Sequence, residues 1–385
     1  MPTISLERLV FGGDAVGRLS GKAVFVPLGA PGDVAEVEMD VERERWSRAR
    51  LVRLIEPGPD RTTPACPHFE HCGGCQWQHV APEAQRRARG AVVGDALRRI
   101  GGLEVADPGV DPAPADWGYR HKLTLHADAG GRIGLHPLGR PAESFDLRHC
   151  EIAHADLNSL WRSLDARRDL LPRGLERLVL RRSREGALDL AVEGGGHRTA
   201  WTGADRLRRG LSEDGIEAGV RGEGGPGAFE QVYPAMGDRI RAHAVEALGE
   251  LSGRHAWDLY AGIGETAALL SAAGATVDSV ESDPAADRPV APSVRRSLGR
   301  VEDVVGRLEP PHVVVTNPPR VGMDRRAVEG IVAAAPARLA YISCDPATLA
   351  RDLRRLPGYR LASLRAFDLF PQTSHVESVA VLERR

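Results

Sequence analysis

The chain has 385 residues, 42% hydrophobic and 27% charged, an ordinary globular composition long enough for two to three domains of about 150 residues each. Its 51 Lys and Arg against 53 Asp and Glu leave a net charge of −2, so composition alone makes no case for nucleic-acid binding. No run approaches about 18 uncharged apolar residues, which excludes a membrane-spanning helix. The start, MPTISLERLVFGG, lacks the basic-then-apolar pattern of a secretory signal, and the expected location is cytoplasmic.

Residues 1–58 read as short strands broken by glycine: VFGGDAVGRL, KAVFVPLG and VAEVEMDVERERW. Several strands in so short a segment predict a small barrel of the oligonucleotide-binding kind. Arg43, Arg45, Arg48 and Arg50 surround Trp46. At strand spacing Arg43 and Arg45 share a face, either a solvated edge or a phosphate-contacting surface with one stacking ring. Of the 51 basic residues only Lys22 and Lys122 are lysine and the other 49 are arginine, which a GC-rich genome would explain as well as phosphate recognition. Residues 59–80 are loop-like and carry CPHFEHCGGCQWQH; residues 82–101 form a helix opened by proline and closed by glycine. From 117 to 230 the pattern is mixed, with strand candidates YRHKLTLHA, GRIGLHPL, RLVLRRS and LDLAVEG. From 231 strands and helices alternate, which predicts a doubly wound α/β sheet with mostly parallel strands. The expected division is a barrel at 1–58, a mixed central domain at 59–230 and a Rossmann-like α/β domain at 231–385.

Five cysteines are an odd number in a chain read as cytosolic, which favours metal or catalytic use over disulfides. Cys66, Cys72 and Cys75 follow the spacing C-x5-C-x2-C around Gly73-Gly74, and Cys150 offers a fourth thiolate. Four thiolates suit zinc or an iron–sulfur cluster, and spacing alone does not separate them, although this one is not a common zinc spacing. Further on, Asp258-Leu-Tyr260-Ala-Gly262-Ile-Gly264 runs from a strand into a helix, letting the backbone approach a ligand at the helix N-terminus. Glu281 ends the next strand, where a carboxylate takes ribose hydroxyls; this spacing fits S-adenosylmethionine or a dinucleotide.

Three motifs follow. Asn317-Pro318-Pro319-Arg320 resembles an amino-methyltransferase turn, except that Arg320 stands where an aromatic residue is expected. Cys344, in YISCDPATLARDL, precedes a helix whose exposed amides are expected to lower its pKa. His375 and Glu377 are two apart in FPQTSHVES, on one face if extended, and burial of Glu377 would raise its pKa toward that of a usable base.

Taken together these motifs resemble the S-adenosylmethionine-dependent RNA uracil-5-methyltransferases, in the RumA/RlmD-like branch of the TrmA superfamily, along nearly the whole chain. The resemblance implies that the barrel is a TRAM domain and that Cys66, Cys72, Cys75 and Cys150 hold a [4Fe-4S] cluster. GYRHK at 118–122 is similar to the opening of the family's central domain, and Phe229-Glu-Gln231-Val to the segment whose glutamine contacts the cofactor. Gln231, Tyr260, Gly262, Gly264, Glu265, Glu281 and Asn317 are then cofactor residues, Cys344 the nucleophile and Glu377 the base. The implied partner is RNA, ribosomal ahead of transfer RNA, acted on by a monomer without a membrane. An RNA-binding or chaperone-like protein with a decayed cofactor site, and an amino-methyltransferase, are the alternatives. The chain departs from the family pattern at Asn317, where aspartate is usual, and at Glu265, where asparagine is common. It departs again at 282–303, where prolines 284, 289 and 292 leave the stretch too short and broken for the usual helix and strand, with Asp303 a weak candidate for the adenine edge.

Overall fold

The computed structural model describes residues 1–194, 203–221 and 230–385, and these are organised on three sheets. The first is a closed barrel of β1 (Thr3–Leu9), β2 (Ala15–Leu19), β3 (Lys22–Val26), β4 (Val34–Glu42) and β5 (Trp46–Glu56), in the order β1-β2-β3-β5-β4. Period-two alternation builds it: Ile4, Leu6, Val24, Val26, Ala35, Val37 and Ala49 point into one buried core. Arg43 and Arg45 do not share a strand face, because β4 ends at Glu42 and β5 starts at Trp46, which leaves both in the connecting turn. Trp46 is 40% exposed and packs edge-on against Phe25, while Arg48 pairs with Asp14 and Arg50 with Glu38.

The helix α1 (Pro82–Arg99) and the short strand β6 (Val110–Asp111) follow. Proline at the first turn suits α1, since that amide has no intrahelical partner. The second sheet contains β7 (Lys122–Ala127), β8 (Ile133–Leu135), β9 (Phe145–Asp146), β10 (Arg177–Arg182), β11 (Leu188–Glu193) and β12 (Ala218–Arg221), in the order β12-β11-β10-β7-β8-β9. It is covered by α2 (Ala155–Asp165) and α3 (Ala204–Glu213), whose apolar faces bury Leu157, Leu160, Trp161, Leu207 and Leu211.

The third unit comprises α4 (Pro234–Glu246), β13 (His255–Leu259), α5 (Glu265–Ala272), β14 (Thr276–Glu281), β15 (Val294–Leu298), α6 (Val301–Val304), β16 (Val313–Thr316), α7 (Arg325–Ala334), β17 (Arg338–Ser343), α8 (Pro346–Arg354), β18 (Tyr359–Phe367) and β19 (Glu377–Arg384). Its eight strands run β15-β14-β13-β16-β17-β19-β18-β6, parallel from β15 to β17, with β19 antiparallel to β17. Reversal of strand order at β13 puts the ligand-binding crevice at the carboxyl ends of β13 and β16. Two features differ from the sequence reading. The stretch 282–303 does form a strand, β15, because Val294–Leu298 lies beyond the last proline and pairs in parallel with Val277–Glu281. And α1 and β6, within 59–230, dock on the third unit: Val93 and Leu97 join the core of Trp257 and Leu259, and β6 pairs with β18. Among the described residues no helix is long and apolar enough to cross a membrane.

Candidate active site

Each functional segment lies at one edge of the third sheet. After β13 the chain turns through Tyr260, Gly262 and Gly264, all at positive φ (61°, 56° and 92°). Glycine is required at 264, where a Cβ would also stand 3.0 Å from Arg296 Nη1. The Gly262 amide donates to Glu281 Oε2 at 2.8 Å, while the amides of Ser282 and Asp283 donate to Oε1 at 2.7 and 2.8 Å. Three amides therefore orient the carboxylate that ends β14. Asn317 follows β16 and donates its amide to Leu259 O at 3.2 Å. The next turn is closed by Gly322 N–H to Pro319 O at 2.7 Å and pinned to α8 by Thr348 Oγ1 to Arg320 O at 3.0 Å. Cys344 follows β17 directly. Glu377 opens β19, and because Ser343 stands opposite Ser378 in that antiparallel pair, Glu377 arrives at the same edge as Cys344.

These segments enclose one cavity of about 990 Å³, whose wall includes Gln231, Tyr260, Gly262, Glu265, Glu281, Asn317, Arg320, Cys344 and Glu377. Gly264 is not in the wall; it forms the turn behind it. Phe229 lies outside the described residues. His375 is not in the wall either, and burial pushes its pKa down to about 4. Buried Glu377 is pushed up to about 8 by loss of solvent, with Arg320 pulling the other way. Cys344 is pushed up to about 11, first by burial and then by the Glu377 charge, against Arg320. The expected lowering by helix amides does not occur. Asp345 caps α8, taking the Thr348 amide at 2.8 Å, and its own negative charge faces the thiol. Burial also raises Asp258, to about 7, and its Oδ2 has no partner.

Some residues in and behind the wall are not apparent from sequence. The Glu265 carboxylate is held by Arg184, from the β10–β11 connection, and by Arg241 of α4 at 3.1 Å, so it ties the second sheet to the third. Glu302 lines the cavity, whereas Asp303 points away and pairs with Arg326 at 3.0 Å. The one-turn helix α6 puts these neighbours on different faces, and its hydrophobic register is too short to have shown which. Phe370 completes the wall from the loop before Glu377.

A second cavity, about 270 Å³, is lined by Cys66, Cys72, Cys75 and Cys150 together with His68, His126 and His149. All four thiols are free. Burial pushes Cys72 up to about 11 and Cys75 up to about 12, and each thiolate disfavours the others. Among the described residues no three His, Cys, Asp or Glu side chains stand close enough to share one metal ion. The sulfurs thus surround a space rather than a point.

A glycine turn and an oriented carboxylate at the carboxyl ends of parallel strands, opening on a thiol and a buried carboxyl, define a doubly wound α/β methyltransferase. A profile of the tRNA (uracil-5-)-methyltransferase family matches residues 287–385. A Streptomyces avermitilis protein described as an uncharacterized RNA methyltransferase is 33% identical over 99% of this chain and 97% of its own length. The 23S rRNA (uracil(1939)-C(5))-methyltransferase RlmD of Azoarcus sp. is 31% identical over the full length of both chains. The crystal structure of Pyrococcus abyssi tRNA (uracil-54, C5)-methyltransferase in complex with S-adenosyl-L-homocysteine shares the fold, with a TM-score of 0.72 at 20% identity over 98% of this chain and 100% of that one. The chain belongs to the RNA (uracil-5-)-methyltransferase family.

Proposed function

We propose that this enzyme methylates carbon 5 of a uridine in RNA through a covalent bond between Cys344 and carbon 6. The observation that carries this reading is that Cys344 and Glu377 share one cavity wall with the Gly262 turn and Glu281, close enough for the Glu377 charge to act on the thiol. The cavity fits a nucleoside cofactor: the Gly262 amide orients the Glu281 carboxylate in its wall, and the buried Tyr260 hydroxyl has no hydrogen-bond partner among the described residues. Gln231, Tyr260, Gly262, Glu265, Glu281 and Asn317 are the residues that would hold S-adenosylmethionine, with Gly264 shaping the turn. When bound, it supplies an electrophilic methyl group.

Carbon 5 of uracil is a weak nucleophile, and the chain's residues correct that. Cys344, once deprotonated beside Arg320, adds its sulfur to carbon 6. The C5–C6 π pair moves onto carbon 5 and the O4 enolate, and Arg320 stands where it can offset that charge. Carbon 5 then accepts the methyl and is left saturated. The Glu377 carboxylate takes the carbon 5 proton, the pair re-forms the double bond, and the Cys344 thiolate leaves. Burial keeps Glu377 protonated in the empty site at neutral pH; a cationic ligand nearby draws it toward the carboxylate.

The four cysteines are the ligands of a [4Fe-4S] cluster in this reading, which follows from soft donors arranged around a cavity. Cys66, Cys72, Cys75 and Cys150 would hold it. The barrel binds RNA, and ribosomal RNA is the favoured substrate because the RlmD-named relatives match over the full chain. The enzyme acts as a cytoplasmic monomer. An amino-methyltransferase reading of Asn317-Pro-Pro leaves Cys344 and Glu377 without a role. Cys344→Ala is the test: no 5-methyluridine should form in substrate RNA while cofactor binding persists, and methylation by that variant would refute the mechanism.

A further inference from the structure

The loop that delivers Glu377 is held by side chains from outside its own sheet. Residues 370–376 belong to the 368–376 connection between β18 and β19. Arg89 of α1, fully buried, donates from Nε to His375 O at 3.0 Å and from Nη2 to Phe370 O at 3.1 Å and Thr373 O at 2.7 Å. Its guanidinium lies 5.2 Å from the Trp77 ring centroid. Gln372 has φ +69°, a strained conformation for a non-glycine residue, kept in place when its amide donates to Gln85 Oε1 at 3.1 Å and its carbonyl accepts from Trp77 N–H at 3.0 Å.

The thiol-bearing loop also contacts this segment. Gln76, adjacent to Cys75, accepts the Ser374 amide on Oε1 at 3.2 Å and donates Nε2 to Gly73 O at 2.8 Å. One side chain therefore bridges the turn between Cys72 and Cys75 and the segment three residues before Glu377. The barrel closes on the same spot: Trp77 Nε1 donates to Gly13 O at 3.0 Å, and a Cβ at Gly13 would stand 2.7 Å from Gln76 Cβ and 3.5 Å from Ser374 Cβ.

We propose that Gln76 and Arg89 are positioning residues for Glu377, so that the thiol-bearing loop is a structural part of the active site. The inference rests on the reading of Glu377 as the base. Proton abstraction from carbon 5 needs the carboxylate within hydrogen-bond reach, and a misplacement of about 1 Å costs roughly 100-fold in rate. This seven-residue segment has no regular structure of its own, and several of its backbone polar groups are answered by Gln76, Gln85, Arg89, Trp77 and Tyr119. Loss of order around the cysteines would reach Glu377 through Gln76 without touching the Cys344 side of the cavity.

The test uses the full chain, prepared without air, as Gln76→Ala. Expected are wild-type metal content, a single-turnover rate of methyl transfer within about twofold of wild type, and release of methylated RNA from the covalent complex slowed about 10- to 100-fold. The amides of residues 370–376 should exchange faster with deuterated water. Arg89→Lys should slow release similarly, but a buried guanidinium is costly to replace, so the half-buried Gln76 carries the test. Wild-type release and exchange in Gln76→Ala would overturn the proposal. So would loss of metal together with equal loss of methyl transfer and release, since Gln76 would then serve only the thiol site. If Glu377→Gln releases product at the wild-type rate, the base assignment itself falls, and that result is independent of Gln76.

Discussion

Glu377 carries a proton that few surface glutamates keep, and the cause is burial at the head of β19 with one arginine in range. Cys344 is raised by the same surroundings and by Glu377 itself. Glu377 acts as a carboxylate after methyl transfer, so kcat should rise with pH from 6.5 through about 8, and Glu377→Gln should lose that limb while accumulating a covalent RNA complex. Stability should move in the opposite direction. The native state holds this proton to about pH 8 whereas an ordinary glutamate releases it near 4.5, so stability declines as pH rises between those values. Glu377→Gln should therefore gain stability over wild type above pH 5, by an amount growing at on the order of 1.4 kcal/mol per pH unit up to about 8. Thermal melts at pH 5 and pH 8 measure it; an equal difference at both would contradict the burial account. At this scale Cys344 and Glu377 were legible because long motifs surround them. The sign of the Cys344 shift was not, because its burial, first of all, and then the nearby Glu377 and Asp345 charges are products of folding.

At the scale of elements, the turn from β13 into α5 does its work through backbone conformation. Gly264→Ala should cost about 1 kcal/mol or more in stability, because φ is positive there and the new Cβ meets Arg296. It should also weaken S-adenosylmethionine binding by roughly tenfold, an expectation of about 1.4 kcal/mol from displacing the turn. Thermal unfolding reads the first and calorimetric titration the second, and unchanged affinity would show that the turn does not form the cofactor wall. The alternation of strands and helices after residue 231 was readable from apolar periodicity. The strand β15 was not, since three prolines precede it and it takes shape by pairing in parallel with β14. Arg43 and Arg45 misled in the opposite direction: strand-like composition continued across a turn.

Across the whole molecule, the features hidden from sequence are those made by contacts between distant segments. Arg89 lies nearly 300 residues from the loop it holds, and nothing in the sequence of α1 marks which of its arginines is buried. The same holds for the Arg184–Glu265 tie between two sheets. The thiol set was visible in sequence only as a list; folding brings Cys150 to the cavity of the other three. If those four hold the proposed cluster, protein prepared without air should be brown with about four irons per chain. A colourless protein with one zinc would replace that assignment.

The most direct measurement of the central claim is a mass-spectrometric map of the protein after reaction with S-adenosylmethionine and RNA carrying 5-fluorouridine. Fluorine on carbon 5 leaves no proton for Glu377 to remove, so the adduct should persist, and its mass should fall on the peptide containing Cys344. Attachment at any other residue, or no attachment by an enzyme that methylates unmodified RNA, would contradict the account.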